Sequence, residues 1–241
     1  MKKLLIIPSA FALGSFFLAS CGNSTPDVSM KSPLQNNAVT VNLKATQEMG
    51  ENVANNDANT KTMENMQAAF KGETTASAKY AAYSTKAEEE GFHQIALLFK
   101  AASVSENIHA NNHKAVLEES GIGVPAVTPK FTVKTTKENL LDAISGETYE
   151  ATTMYPEFLT EANTAGNQLA MMSLNYAYKT EKKHKVFYEA ALSALQNNTT
   201  KTLSTVFYVC PTCGNTYETK APGRCGISMT AGEKFIKITS L

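Results

Sequence analysis

The chain has 241 residues, with 22 basic and 22 acidic side chains and a formal net charge of zero. A neutral chain whose one arginine is Arg224 lacks the basic footprint of a nucleic-acid binder. A 43% hydrophobic and 18% charged composition excludes global disorder and supports a sizeable core.

The first segment, 1–20, opens with Met1-Lys2-Lys3, continues as an almost wholly apolar run from Leu4 to Leu18, and ends in small residues before Cys21. This is the pattern of a secretory signal, too short for a comfortable membrane span. The junction Leu18-Ala19-Ser20-Cys21 resembles a bacterial lipobox, which makes Cys21 the expected lipidation site. The expected location is therefore the cell envelope, with the folded part held outside the cytoplasm by a lipid anchor. Residues 21–58 are rich in Asn, Thr, Ser and Lys without an aromatic residue. They read as a flexible tether with a reach of about 35 Å.

Four long helical segments follow, at about 60–90, 92–120, 135–163 and 166–197, all rich in Ala, Leu, Met, Lys and Glu. Gly91 and Gly121 stop the first two, Thr135-x-x-Glu138 starts the third as a capping box, and Pro156 should kink it. The first and second segments are joined by a few residues, as are the third and fourth, so each pair should be an antiparallel hairpin. The link between the pairs carries Pro125 and Pro129 and can run the length of a helix. One long crossover between two hairpins predicts a mainly α, ferritin-like four-helix bundle over 59–198.

Acidic and histidine side chains recur at helical spacing in that bundle. The first segment carries Glu73 and the second Glu106-Asn107-Ile108-His109. The third carries Glu147-Thr148-Tyr149-Glu150 and the fourth Glu181-Lys182-Lys183-His184. Residues three apart on a helix share a face, so each pair can aim two ligands at one point. Glu73 and Glu106 are 33 residues apart and Glu147 and Glu181 are 34 apart, as an internal pseudo-two-fold requires. One Glu from each of two helices with Glu-x-x-His from each of the other two is a di-iron or di-manganese carboxylate pattern. Five converging carboxylates would repel in a bundle core without cations. Of the remaining histidines, His93 reads as surface, and His113, one turn beyond His109, as a core residue or a support for the ligands.

The last segment, 206–241, reads as a small metal knuckle with β-structure. Cys210-Pro211-Thr212-Cys213-Gly214 places two sulfurs on one turn, and Arg224-Cys225-Gly226-Ile227-Ser228 repeats the turn with a serine in place of the second cysteine. Three thiolates remain for one Fe or Zn; Ser228 either coordinates as an alkoxide or leaves the fourth place to water, and either should weaken binding and alter the redox potential. An empty knuckle, with a disulfide among its cysteines, is the competing expectation.

A dimetal bundle followed by such a knuckle resembles the rubrerythrin family over about residues 60–241. The likeness is carried by Phe70-Lys71-Gly72-Glu73, Glu88-Glu89-Glu90-Gly91-Phe92, Glu106-Asn107-Ile108-His109-Ala110, Gly146-Glu147-Thr148-Tyr149-Glu150 and Met154-Tyr155-Pro156. The resemblance implies two non-haem iron ions, with manganese admissible at one site. Glu106 and Glu181 would bridge them, Glu73 would be terminal on one, and Glu147 and His184 on the other. Glu150 and His109 would exchange with oxidation state, and Tyr80 and Tyr155 would act beside the centre as catalytic residues. The implied activity is reduction of hydrogen peroxide to water, protective against oxidative stress. Its electrons would come from an unidentified donor through the knuckle and, in a homodimer, across the subunit contact. A ferroxidase or iron-sequestering module with a structural knuckle is the alternative. The signal segment and Ser228 depart from the family pattern.

Overall fold

The computed structural model describes residues 37–241, with side chains from residue 56 onward. The signal segment 1–20, Cys21 and residues up to 36 lie outside the described residues. The tether expected over 21–58 is corrected over 37–58, because helix α1 runs Asn37–Glu89. Residues 37–58 hold no proline, and Asn-rich composition is only a weak penalty against helix. Once the bundle nucleates α1, propagation needs no apolar face of its own.

Helices α2 (His93–Glu119) and α5 (Gln168–Gln196) are continuous. The third bundle helix is interrupted. Helix α3 (Thr136–Tyr149) passes through a π-helical turn, Glu150–Met154, into α4 (Tyr155–Thr164). Pro156 has no amide hydrogen to give, and the widened turn just before it absorbs its ring. The Tyr155 amide there reaches back five residues to the Glu150 carbonyl. The start of α3 is a full capping box between Thr135 and Glu138.

Both hairpins turn on the same device, a glycine at positive φ just past the helix: Gly91 at 83° and Gly166 at 64°. The amide after each bonds back across the helix end, Phe92 to the Ala87 carbonyl at 2.8 Å and Asn167 to that of Ala162 at 2.9 Å. The α1–α2 pair is antiparallel and zipped by small hydroxyls. Ser77 and Ser103 each donate to the other's carbonyl at 2.8 Å, and Ser84 donates to Ala96 O at 2.7 Å. The crossover, 120–135, returns the chain to the far end of the bundle, where the Thr136 amide bonds Glu90 at 2.9 Å. Two apolar clusters fill the bundle. One is built around Tyr80, Phe99, Leu140 and Tyr188, the other around Met66, Leu117, Tyr155 and Leu174.

The C-terminal segment forms a small antiparallel sheet in the order β2-β1-β3, from Phe207–Val209 (β1), Thr216–Glu218 (β2) and Ile236–Ile238 (β3). Phe207, Val209 and Ile238 bury themselves in the first apolar cluster of the bundle, so knuckle and bundle share a core. No described helix is long and apolar enough to cross a membrane.

Candidate metal centre

Between the two apolar clusters lies a layer of charge. Glu73, Glu106, His109, Glu147, Glu181 and His184 are each at most 1% exposed. Their ligand atoms form two groups, Glu73–Glu106–His109–Glu181 and Glu106–Glu147–Glu181–His184, each drawn together within 4.8 Å. The groups share two residues, and those two face both ways. His109 Nδ1 lies 2.8 Å from Glu106 Oε2 and 2.9 Å from Glu181 Oε1. His184 Nδ1 lies 2.9 Å from Glu106 Oε1 and 3.0 Å from Glu181 Oε2. Each shared carboxylate thus shows one oxygen to each group, the layout of a carboxylate that spans two ions. Glu150, on the π-helical turn, is half-buried and stands outside both groups.

The outer nitrogens of both imidazoles are fixed by the knuckle. His109 Nε2 donates to the Cys213 carbonyl at 3.0 Å. His184 Nε2 is 3.0 Å from Thr216 Oγ1, whose own proton goes to Gly214 O at 3.2 Å, so the ring is the donor here too. With Nε2 carrying hydrogen on each ring, Nδ1 is the atom left for a metal. The backbone comes this close because residue 214 is glycine: a Cβ there would stand 2.4 Å from His109 Nε2 and 2.8 Å from Ser105 Oγ. Ser105 Oγ donates to Gly214 O at 2.7 Å and completes the contact.

The tyrosines brace the carboxylates. Tyr80 donates to Glu147 at 2.7 Å, and Tyr155 donates to Glu73. His113 lies 3.2 Å from the Tyr155 hydroxyl through Nε2 and 2.8 Å from Ser173 Oγ through Nδ1. Since Tyr155 spends its hydrogen on Glu73, His113 Nε2 must donate to it. Burial, then His109, holds His113 down to about 3, so the ring is neutral. Tyr188, fully buried with an unpartnered hydroxyl, is a further neighbour of the layer that its aromatic character alone did not single out. Its place one turn after His184 was the available signal.

Whether metal ions fit is answered by the atoms left over. Glu73 Oε2, Glu106 Oε1, Glu147 Oε2, both Glu181 oxygens and His184 Nδ1 are buried without a hydrogen-bond partner of proper geometry. Donor-rich surroundings with orphaned oxygens aimed at common points match ions, not hydrogen bonds. Electrostatics agrees. Burial, then Glu150 and Glu181, pushes Glu73 well above the usual carboxylate range, and burial, then Glu181 and Glu106, does the same to Glu147. Burial also works against Glu106, but His184 and His109 overcome it and hold that carboxyl at about 2. The cost falls on the imidazoles. Despite burial, Glu181 and Glu106 carry His109 well above its usual value, and Glu106 carries His184 to about 9. Divalent ions would take the place of the proton on each Nδ1. Oxygen-rich ligation with two imidazoles suits iron or manganese over a structural zinc.

The knuckle gathers Cys210, Cys213 and Cys225, all buried and all free thiols. No disulfide joins them. Hydrogen bonds from Cys213 and Ser228, offset against burial, hold the Cys210 thiol down to about 4, the range of a metal-ready thiolate.

Comparison with known proteins places these features in context. A family model described as Rubrerythrin matches residues 64–192. Nigerythrin of Nitratidesulfovibrio vulgaris is 34% identical over 176 residues, 72% of this chain and 85% of that one. Rubrerythrin-2 of Clostridium acetobutylicum is 33% identical, covering 73% of this chain and 96% of that one. Among solved structures, fully reduced, all-ferrous nigerythrin superposes with a TM-score of 0.66 at 32% identity, over 73% of this chain and 86% of that one. A bacterioferritin of Rhodobacter capsulatus shares the fold, with a TM-score of 0.52 at 21% identity over 57% of this chain and 87% of that one.

Proposed function

This chain belongs to the rubrerythrin family, and from that premise we propose that it is a non-haem di-iron peroxidase, which reduces hydrogen peroxide to two waters with two electrons and two protons. The observation that carries the reading is a buried layer of two carboxylate and histidine groups whose histidines are hydrogen-bonded directly to the three-cysteine knuckle. When bound, a ferrous pair would supply the two electrons and polarise the O–O bond.

The chain's own residues set the stage for that chemistry. Glu106 and Glu181 would span the ions, with Glu73 and His109 on one side and Glu147 and His184 on the other. Tyr80 and Tyr155 hold Glu147 and Glu73 in place by donating to them. Glu150, half-buried at the rim with its pKa raised by burial and then Glu181, is a carboxyl suited to delivering a proton to a peroxide oxygen. In this reading Glu150 would exchange with His109 as the oxidation state changes. Cys210, Cys213 and Cys225 would hold a metal able to return electrons to the bundle, and the Cys213 carbonyl meets the His109 ring through one hydrogen bond of 3.0 Å.

That link lies within one chain. A homodimer remains part of the proposal, and two chains that exchanged knuckles through the 197–206 linker would rebuild the same contact between copies. Sedimentation of the mature protein decides it. We also propose Cys21 as the lipid anchor, holding the enzyme outside the cytoplasm of a bacterial cell. Cys21→Ala should release the protein from membranes, and unchanged partitioning would refute the anchor.

The activity is tested by mixing the chemically reduced protein with hydrogen peroxide. Consumption of one peroxide per ion pair within seconds, faster than reaction with dioxygen, supports the peroxidase. Rapid iron oxidation by dioxygen, with peroxide ignored, would favour the ferroxidase reading.

A further inference from the structure

The two turns of the knuckle are copies of one another at the level of single hydrogen bonds. In the first, the Gly214 amide donates to the Cys210 carbonyl at 2.9 Å and the Cys210 amide donates to the Asn215 carbonyl at 3.0 Å. In the second, the Met229 amide donates to the Cys225 carbonyl at 3.1 Å and the Cys225 amide to the Thr230 carbonyl at 2.8 Å, while the Thr230 amide turns to Ser228 Oγ, 3.5 Å away. Ser228 therefore holds in the second turn the station that Cys213 holds in the first. The backbone repeats as well. The residue after Cys213 is Gly214 at φ 75°, and the residue after Ser228 is Met229 at φ 61°, a left-handed conformation that a methionine rarely adopts. The turn has kept its ligand-presenting shape although neither its serine nor its methionine favours it.

The hydroxyl also faces the sulfurs. Ser228 Oγ is 3.2 Å from Cys210 Sγ, and the Cys213 and Cys225 sulfurs are 3.4 Å apart. Four tetrahedral ligands with metal–sulfur bonds of about 2.3 Å and a metal–oxygen bond of about 2.0 Å stand roughly 3.5–3.8 Å from one another, and a small outward adjustment satisfies that. On the far side Ser228 Oγ meets Thr230 Oγ1 at 2.8 Å, and Thr230 Oγ1 donates to Thr212 Oγ1 at 2.7 Å. A threonine from each turn thus fixes the rotamer that keeps the oxygen on the cluster.

We infer that Ser228 Oγ is the fourth ligand of the knuckle, which makes it a built site of three thiolates and one hydroxyl oxygen and not a four-cysteine site with a gap. This rests on the reading that the knuckle binds metal. An oxygen donor in place of sulfur makes the site harder, exchanging metal faster than a four-thiolate site but more slowly than a three-thiolate site closed by water.

The test uses the full mature chain loaded with Co(II), because thiolate-to-cobalt absorption arises at the knuckle alone and the bundle contributes none. Excess chelator is added and the decay of that absorption is followed in wild type, Ser228→Ala and Ser228→Cys. If the oxygen is a ligand, Ser228→Ala should lose cobalt roughly tenfold faster. Ser228→Cys should hold it roughly tenfold longer, with the absorption increased by about a third as three thiolates become four. The cysteine variant guards against an alanine variant that merely misfolds, since a gain in intensity and retention needs an intact turn. Equal release from wild type and Ser228→Ala would overturn the inference, as would a Ser228→Cys protein with unchanged absorption. If wild type shows no thiolate absorption at all, the metal-binding reading of the knuckle fails with it. If wild type absorbs but releases cobalt as fast as Ser228→Ala, only the role of Ser228 fails.

Discussion

Glu106 and Glu181 turn one oxygen toward each ligand group, so neither group survives the loss of either side chain. Glu106→Ala and Glu181→Ala should each lose at least one metal per chain and nearly all turnover. Glu150→Ala, outside both groups in this structure, should keep most of its metal and lose activity. Metal analysis of the three purified variants checks this, and equal retention in all three would refute the site. The same layer predicts a pH dependence of loading. His184 keeps its proton up to about 9, and a metal must displace it, so affinity should rise with pH toward that value, with protons released on binding. Calorimetry in two buffers of different ionisation heat counts them. His113 acts in the opposite reservoir. Unfolded, it takes a proton near 6.5; folded, not until about 3. Between those values the unfolded chain binds one proton more, so stability falls as pH falls, by up to about 1.4 kcal/mol per unit. His113→Gln should remove that one-proton share from the slope, read by denaturant unfolding at a series of pH values.

At the scale of elements, the π-helical turn Glu150–Met154 sets the rotation between two halves of one helix. On the near side Glu147 reaches Tyr80, and on the far side Tyr155 reaches Glu73. A regular α-helix turns about 100° per residue, so deleting the exposed Thr152 would convert the widened turn to a regular one and swing one half by about that angle. The variant should keep its helical circular dichroism yet lose bound metal, because Glu147 and Tyr155 can no longer face the same layer. The knuckle turn has a similar pivot. Gly214→Ala would force an L-residue to φ 75°, about 1–2 kcal/mol by itself, and drive its Cβ into the His109 ring. Thermal unfolding should register the loss, and the knuckle should become the first site of proteolysis.

At the scale of the whole molecule, bundle and knuckle should unfold as one cooperative unit, since Phe207, Val209 and Ile238 belong to the bundle's own core. Phe207→Ala should cost about 3–5 kcal/mol, and it should shift the unfolding of both parts together. Two separate transitions, with only the knuckle affected, would show that the parts are independent.

The sequence by itself determined the helix count and the crossover, and of the seven bundle residues it named as candidate ligands the structure gathers six into the charged layer. Periodicity and glycine or capping signals act within a few residues, and Glu-x-x-His spacing is a property of one helix. The three thiols and the serine at 228 were equally local. What only the tertiary structure decided was distance across elements. It extended α1 back to Asn37 through residues whose composition had suggested a coil, because a helix propagates from a packed end regardless of its own polarity. It converted a kink foreseen at Pro156 into a π-helical turn placed one step earlier, and it left Glu150 outside the ligand groups. Above all it laid the Cys213 carbonyl against His109 and Thr216 against His184. No periodicity encodes that docking, since it joins residues 104 and 32 positions apart, the first through a backbone carbonyl that every sequence shares.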